Sequence, residues 1–236
     1  MQPAAASASG PPRRVASLNL CADEIALLIA APGQLASVTW LAQRPQETAL
    51  HARAAGLHAN RGTVESVAAL RPDLIITGGF APAYAAELAQ RLGARTLDLP
   101  PPRSIAELEA NIRATGAALG ARARAEALVA AMRAALGPEP PRLRDALVVQ
   151  GGGLTPSPDG LTARLLRHAG LRQRQPRGGR ATLEALLARP PDVLVTSSYR
   201  PGEMSLNAQW LRHPALARLP SATQRLTLDE IGRAHV

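Results

Sequence analysis

The segment VESVAALRPDLIITGG, which starts at Val64, returns without a gap as LEALLARPPDVLVTSS, which starts at Leu183. The identical pairs are Glu65/Glu184, Ala69/Ala188, Pro72/Pro191, Asp73/Asp192 and Thr77/Thr196. Each copy predicts a short helix that ends at proline, which has no N–H to donate, followed by a buried strand and a loop of small residues. The aliphatic runs LIIT and VLVT are typical of parallel strands covered on both faces. The repeat therefore predicts an α/β fold with two similar lobes, mostly parallel central sheets and a ligand cleft between the lobes.

A single long helix is predicted to join the two lobes. Residues from Ala121 to Leu136 are almost all Ala, Leu and Arg, which favour helix, and Gly137 with Pro138 ends the run. With a rise of about 1.5 Å per residue, this helix would extend about 24 Å. The predicted domains are an N-terminal α/β lobe over 13–120, the bridging helix over 121–137 and a C-terminal α/β lobe over 142–229.

Both ends of the chain are expected to lie outside the lobes. Residues 1–12 hold small residues typical of the region after a secretory hydrophobic segment, so we expect a disordered remnant of a secretion or linker segment. Residues 230–236 are expected to be a non-native tail, with the C-terminal lobe truncated before it. Within the first lobe, a helix is expected to begin at Ala22 or Asp23, and a polar loop to run from Trp40 to about His58.

The composition limits the classes of function. All 27 basic residues among the 236 are arginines, and the net charge is +9. These arginines are spread over most of the chain, and the aromatic residues are only two Trp, two Tyr and one Phe, so no aromatic residues alternate with arginines to stack on bases. A solvated basic surface is expected, and nucleic-acid binding is not. No apolar run approaches the roughly 18 residues that span a bilayer.

Motifs for chemistry are also missing from the sequence. GGGLTP follows a predicted strand, but Pro156 stands where a dinucleotide fingerprint needs glycine. The histidines have no metal-ligand spacing, no Gly-x-Ser-x-Gly elbow occurs, and the single Cys21 cannot form an internal disulfide. Asp73 and Asp192 follow prolines and are expected to cap or turn the chain. We therefore expect no catalytic residue, no metal site and no cofactor.

The segments RVASLNLCADEIALLIA, NRGTVESVAALRPDLIITGG and GGGLTPSPDGLTARLLRHAGL, with a capped helix after LDLPPPRS, together resemble the iron-complex and vitamin B12 family of substrate-binding proteins of bacterial ABC importers. The similarity covers nearly all of Arg13 to Asp229. It implies two lobes joined by one long helix, a ligand held between them, a periplasmic location with the signal peptide missing from this chain, and no chemistry. It also implies a permease partner, through which the chain meets the ATPase, and a monomeric state.

The ligand is expected beyond the carboxyl ends of the parallel strands, where loops begin at Asn19, Trp40, Gly78, Gly151 and Ser197. Arginines there would suit an anionic ferric siderophore, and an aromatic lining would suit the corrin of cobalamin. Haem is a third ligand of the same family. A small-molecule enzyme on an α/β scaffold is the alternative from another class. The predicted ligand contacts are Asn19, Trp40, Leu41, Asn60, Arg61, Gly79, Phe80, Tyr199 and Arg200.

The resemblance also implies an exposed carboxylate on each lobe that pairs with arginines of the permease. These positions fall at Glu24, in ADEI, and at Asp159, in SPDGL. Both would lie near the start of a helix, where the helix dipole favours negative charge. Glu24 and Asp159 are therefore predicted to dock the protein onto its permease.

Overall fold

A computed structural model of the chain describes residues 10–79, 83–198, 209–210, 212–220 and 223–229. The strands are β1 Val15–Ser17, β2 Leu35–Thr39, β3 His58–Asn60, β4 Leu74–Thr77, β5 Arg95–Asp98, β6 Arg144–Val149, β7 Leu171–Gln173, β8 Val193–Ser198 and β9 Gln224–Asp229. The α-helices are α1 Leu20–Ile29, α2 His51–Ala54, α3 Ala83–Arg91, α4 Ile105–Leu119, α5 Arg122–Leu136, α6 Leu161–His168 and α7 Leu183–Ala188. Short 3-10 helices cover Trp40–Gln43, Glu65–Leu70, Gly151–Gly153, Arg177–Gly179 and Pro214–Arg218. In the part of the chain described, no helix is long and apolar enough to cross a membrane.

The chain divides into two compact units, each built on its own sheet. The first unit holds residues 10–102 and 106–132, and the second holds residues 103–105 and 133–229. The first sheet has the order β3-β2-β1-β4-β5 and the second the order β7-β6-β8-β9, and every strand pair is parallel. The predicted α/β fold with parallel sheets is confirmed. The division falls within α5, between Met132 and Arg133.

The two copies of the repeat take equivalent places in the two sheets. β4 pairs with β1, and β8 pairs with β6, which is the first strand of the second sheet. Asp73 Oδ2 accepts a hydrogen bond from Arg13 N at 2.8 Å, and its Oδ1 accepts one from Arg14 N at 2.9 Å. In the second copy, Asp192 Oδ2 accepts from Asp145 N at 3.0 Å. The expected structural role of these aspartates is confirmed: each ties the start of the first strand to the repeat.

The copies differ in how the helix before the strand ends. The first copy is a 3-10 helix that ends with Arg71 in the left-handed region, at φ 47°. The second copy is the α-helix α7, and Pro190 stands at the position equivalent to Arg71. Because the proline ring fixes φ near −65°, this position cannot adopt a positive φ. The chain therefore leaves the second helix in a different way, with Arg189 at φ −142°.

Alternate residues of each central strand enter separate apolar clusters. In the first unit, Leu74 and Ile76 pack in one cluster and Ile75 in another. In the second unit, Leu194 packs in one cluster and Val193 and Val195 in another. This burial on both faces explains why the central strands are continuous aliphatic runs rather than alternating ones.

Two expectations for the first unit were wrong in detail. The helix α1 begins at Leu20 rather than at Ala22 or Asp23, because Asn19 caps it and its Oδ1 accepts a hydrogen bond from Cys21 N at 2.9 Å. The predicted loop after Trp40 contains α2 and the edge strand β3. β3 is only three residues long and exposes His58 and Ala59, so it has no apolar pattern to reveal it.

Candidate functional site

The first sheet reverses its strand order between β1 and β4, and the loops that follow its strands at this edge surround two adjoining cavities. In parallel α/β sheets such a reversal leaves a crevice beyond the carboxyl ends of the strands. One cavity, of about 160 Å³, is lined by Leu18, Asn19, Gly62, Thr63, Val64, Glu65, Thr77, Gly78, Tyr84 and Ala85. The other, of about 130 Å³, is lined by Leu18, Asn19, Leu20, Thr39, Trp40, Leu41, Arg61 and Gly62. We call these the tyrosine cavity and the tryptophan cavity.

Asn19 contributes to both cavities and is packed closely against Gly78. A Cβ atom on Gly78 would lie 2.4 Å from Cγ and Nδ2 of Asn19, closer than real side chains approach each other. The glycine is therefore needed so that the β1 and β4 loops can meet. This contact explains the small residues that the sequence places after β4.

Gly79 is held by its backbone. It has φ 78°, a conformation that favours glycine, and its N–H donates to Asp98 Oδ1 at 2.8 Å. Thr77 Oγ1 donates to the same oxygen at 2.5 Å. Asp98 therefore fixes the turn that follows β4, and Gly79 is not among the residues that line the two cavities.

Trp40 is the exposed aromatic residue of the tryptophan cavity. It starts the 3-10 turn after β2 and is 41% exposed, while Leu41 beside it packs partly into the core. The guanidinium carbon of Arg44 lies 4.1 Å from the centre of the Trp40 ring. A cation over an indole face is attracted by the ring quadrupole, so this contact orients the ring.

Asn60 has a different position from the one expected. Its side chain is completely buried, and its Nδ2 donates to Ser17 O at 2.8 Å and to Ser37 Oγ at 2.9 Å. Its Oδ1 accepts from Gly62 N at 2.8 Å. With all these bonds formed inside the protein, Asn60 supports the cavity from beneath, and this placement argues against direct contact with a ligand. Arg61, which follows it, is exposed and lines the tryptophan cavity.

Tyr84 was missed by the sequence analysis. It lies in the first turn of α3, is 55% exposed and lines the tyrosine cavity with Thr63 and Glu65. The scarcity of aromatic residues was the signal that could have found it, since the chain has only two tyrosines. Three predicted contacts, Phe80, Tyr199 and Arg200, lie outside the described residues.

The two predicted docking carboxylates differ in exposure. Asp159 is exposed just before α6, and its N–H donates to Ser157 Oγ at 3.4 Å. Glu24 corrects the expectation of an exposed carboxylate, because it is half-buried in α1 and accepts a hydrogen bond from Thr48 Oγ1 at 2.7 Å. Burial raises the pKa of Glu24, and the bond from Thr48 opposes this rise.

Asp23, next to Glu24, is buried completely below the tryptophan cavity and was not singled out by the sequence. Its Oδ2 accepts hydrogen bonds from Thr39 N at 3.1 Å and from Thr39 Oγ1 at 2.5 Å. Burial raises the pKa of Asp23 from its ordinary value of 3.8 to about 7, although hydrogen bonding to the charged form by Ser17 and Thr39 lowers it.

The glycine-rich loop of the second unit is folded on itself. Gln150 N donates to Leu154 O at 2.8 Å, and Ala181 N donates to Gly153 O at 2.7 Å. Gly153 has φ 79°, and a Cβ atom there would lie 2.4 Å from Ala181 O. The glycines therefore serve a close backbone contact within the unit. In the described ranges of both units, no group of three or more His, Cys, Asp or Glu residues is placed to hold a metal ion.

Parallel sheets whose loops line cavities at the carboxyl ends of the strands define an α/β protein with a ligand-binding crevice. The sequence matches the family described as periplasmic binding protein over residues 15–225. The chain therefore belongs to the periplasmic binding protein family, and the resemblance stated from the sequence is confirmed. The family and its structural neighbours are solute-binding proteins.

Solved structures with the same fold bind different ligands. A periplasmic heme binding protein from Pseudomonas aeruginosa has a TM-score of 0.67 and 25% identity, over 93% of this chain and 85% of that chain. The molybdate periplasmic binding protein MolA of Haemophilus influenzae has a TM-score of 0.67 and 17% identity, over 91% and 77%. The siderophore binding protein BauB, bound to acinetobactin and ferric iron, has a TM-score of 0.67 and 18% identity, over 91% and 81%. No curated protein sequence gives a match.

Proposed function

We propose that this chain is the periplasmic solute-binding component of an ABC importer for an anionic iron complex, a ferric siderophore or haem, with cobalamin as the alternative cargo. The observation that carries the proposal is the tryptophan cavity of a periplasmic binding protein, where Trp40 is exposed beside Arg61. The chain delivers its cargo to a membrane permease and catalyses no reaction.

The chemistry of the tryptophan cavity favours an anion with a flat apolar part. Of the residues that line this cavity, Arg61 is the charged one, and its guanidinium can pair with a carboxylate or another anionic oxygen. Arg44 lies over one face of the Trp40 ring, and the part of the ring that remains exposed can stack on a planar group, such as a catechol or a porphyrin. The structural neighbours that bind heme and an acinetobactin–ferric iron complex support this ligand class. The molybdate-binding neighbour supports an anion without favouring a ring.

The experiment is a titration of Trp40 fluorescence. In a Trp210→Phe background Trp40 is the single tryptophan, so quenching reports on its cavity alone. Haemin, a ferric catecholate siderophore, ferric citrate and cyanocobalamin are added in turn. Saturable quenching by one of the iron complexes supports the proposal. Quenching by cyanocobalamin alone would identify cobalamin, rather than an iron complex, as the cargo. A protein that binds none of them and hydrolyses a small substrate would contradict the transport function.

Arg61→Gln tests the contribution of the charge. We expect affinity for an anionic iron complex to fall about tenfold, equivalent to about 1.4 kcal/mol, because one charge-assisted bond is lost. Arg95→Gln is the matched control, since Arg95 is also exposed but lies at the start of β5, away from the carboxyl ends. Equal affinity losses in both variants would indicate a general charge effect rather than a contact at Arg61.

We propose further that Glu24 and Asp159 contact the permease and that the protein acts as a monomer. An exposed ion pair contributes only about 0–1 kcal/mol. These residues would therefore orient the protein on its permease more than they would add to the affinity between the two. Asp159→Arg with Glu24→Gln is expected to reduce uptake in a reconstituted transporter and leave ligand affinity unchanged. Thr48→Val is the control for Glu24, because it removes the hydrogen bond partner without changing the charge. Unimpaired uptake by the double variant would rule out the docking role.

A further inference from the structure

Asp23 is a completely buried carboxyl that bonds to Thr39 at the end of β2. Its Oδ2 accepts both hydrogen bonds from Thr39, while its Oδ1 has no hydrogen-bond partner among the residues that the structure describes. An asparagine oxygen would accept the same two bonds without the desolvation penalty of a buried charge. A carboxylate differs from this amide in two ways: it offers a second acceptor oxygen near the Ser17 hydroxyl, and it can gain or lose a proton.

Asp23 connects two residues that line the tryptophan cavity. Thr39 is the last residue of β2 and directly precedes Trp40, so the side chain of Asp23 fixes the point from which Trp40 starts. The backbone N–H of Asp23 donates to Asn19 O at 2.8 Å. This is the first backbone bond of α1, so the link that depends on the identity of Asp23 is the one from its carboxyl to the end of β2.

We propose that Asp23 is a proton-controlled positioning residue, whose carboxyl holds Thr39 tightly when ionised and loosely when protonated and thereby sets the orientation of Trp40. An ionised carboxylate makes charge-assisted bonds to the Thr39 donors, whereas a protonated carboxyl offers a weaker carbonyl oxygen. The proton itself would reside on Oδ1, the oxygen to which Thr39 does not donate. The consequence for ligand affinity rests on the proposed function, but the movement of Trp40 does not.

The pKa of Asp23 lies in the range where such a residue would respond. Burial raises this pKa to about 7, against the hydrogen bonds that favour the charged form. Asp23 is therefore ionised above this value and protonated below it. Thr39, and with it Trp40, should be held more firmly on the alkaline side of neutrality.

The ionisable groups around Asp23 are few. The elements that pack most extensively against α1 are β1, β2 and the Trp40–Gln43 turn, and their sequences contain no ionisable side chain. Within α1, the acidic neighbours are Glu24 and the thiol of Cys21. Burial raises the pKa of both, to about 11 for Cys21, so the thiol stays neutral at physiological pH.

Other charged groups reach this region at a distance from Asp23. Arg53 and Arg124 meet α1 only near its end, where they donate to Leu27 O at 3.3 Å and Ile29 O at 2.6 Å. His58 Nδ1 lies 3.2 Å from Ser37 Oγ on β2. His58→Gln is therefore a necessary control variant in the test below.

The test uses the intrinsic fluorescence of the ligand-free Trp210→Phe protein. We expect the emission of Trp40 and its quenching by acrylamide to change with pH around a midpoint near 7. Asp23→Asn, which mimics the protonated carboxyl, should abolish this transition. Glu24→Gln and His58→Gln should keep it. No transition in the parent protein, or the same midpoint after Asp23→Asn, would overturn the proposal.

Two substitutions at Thr39 test the same pH transition of Trp40 fluorescence while Asp23 stays unchanged. Thr39→Val removes the hydroxyl donor that favours the ionised carboxyl, so the midpoint should move to higher pH. Thr39→Ser keeps the donor and should leave the midpoint unchanged. If Asp23→Asn fails to fold by circular dichroism, an unshifted midpoint in Thr39→Val overturns the proposal by itself.

The effect on binding is measured with haemin and ferric citrate as probes. The affinity of whichever probe binds should fall severalfold as pH decreases through the Trp40 midpoint, and this dependence should vanish in Asp23→Asn. A pH dependence that persists in this variant contradicts the link between Asp23 and binding. If neither probe binds while the ligand-free transition is present, the proposed cargo is wrong and the positioning role of Asp23 stands.

Discussion

Asn60 shows how one buried amide supports the cavity loops. Its three internal hydrogen bonds link β1, β2 and the turn at Gly62. Asn60→Ala would leave their partners unsatisfied in the interior, so we expect a loss of about 2–3 kcal/mol in the free energy of unfolding. Asn111→Ala, which removes a single bond at the surface, should cost less than about 1 kcal/mol in the same urea titration. Equal losses would show that the buried hydrogen bonds of Asn60 contribute no more to the free energy of unfolding than a single surface bond does.

Asp23 gives a prediction for stability against pH. Its pKa in the folded protein, about 7, lies above the ordinary value of 3.8, so the folded state binds the proton more tightly than the unfolded state does. The contribution of Asp23 to stability is therefore full below about pH 4 and decreases as pH rises to about 7, by up to about 4 kcal/mol. Asp23→Asn should be more stable than the parent protein at pH about 8 and similar at pH about 4, by thermal melting. A constant difference between the two proteins across this range would contradict the assignment.

The Pro-Asp breaks let the two copies of one element be compared directly. Asp73 accepts two backbone hydrogen bonds at the start of β1, and Asp192 accepts one at the start of β6. We expect Asp73→Ala to lower the free energy of unfolding of its unit by about 2–3 kcal/mol, and Asp192→Ala by about half as much. Hydrogen exchange at the strand amides would resolve the two units. A larger effect of Asp192→Ala would show that bond number does not set the stability of these elements.

The sequence was sufficient for the central strands and insufficient for the short edge strands β3 and β7. β4 and β8 could be predicted because strands buried on both faces must be continuous aliphatic runs. β3 and β7 could not, because each is three residues long and has polar members, such as His58 and Gln173. Sequence analysis placed Trp40, Leu41 and Arg61 at the cavity but missed Asp23. Nothing in ADEI distinguishes a buried acid from an exposed one, since burial depends on β2 packing across the helix.

At the scale of the whole molecule, the net charge of +9 should accelerate the capture of anionic cargo. Long-range attraction is screened by salt, with a Debye length of about 30 Å at 0.01 M and about 8 Å at 0.15 M. We expect the association rate constant of an anionic iron complex to fall severalfold between these ionic strengths, while the dissociation rate constant changes less. Stopped-flow quenching of Trp40 measures both rates. A neutral probe such as cyanocobalamin is the control, and equal salt dependence for both probes would exclude steering.

The contact between Gly78 and Asn19 makes substitutions at these two positions, which are distant in sequence, depend on each other in evolution. Because a Cβ atom at position 78 would come within 2.4 Å of the Asn19 side chain, neither residue can change freely while the other stays. Lineages that replace the glycine should also carry a smaller side chain at position 19, so the two columns should covary among related proteins. In the laboratory the same dependence would appear as epistasis: Gly78→Ala alone should be strongly deleterious, and Asn19→Gly should partly suppress the defect. Gly10→Ala, with no atom within 4 Å of its added methyl group, should be neutral in either background.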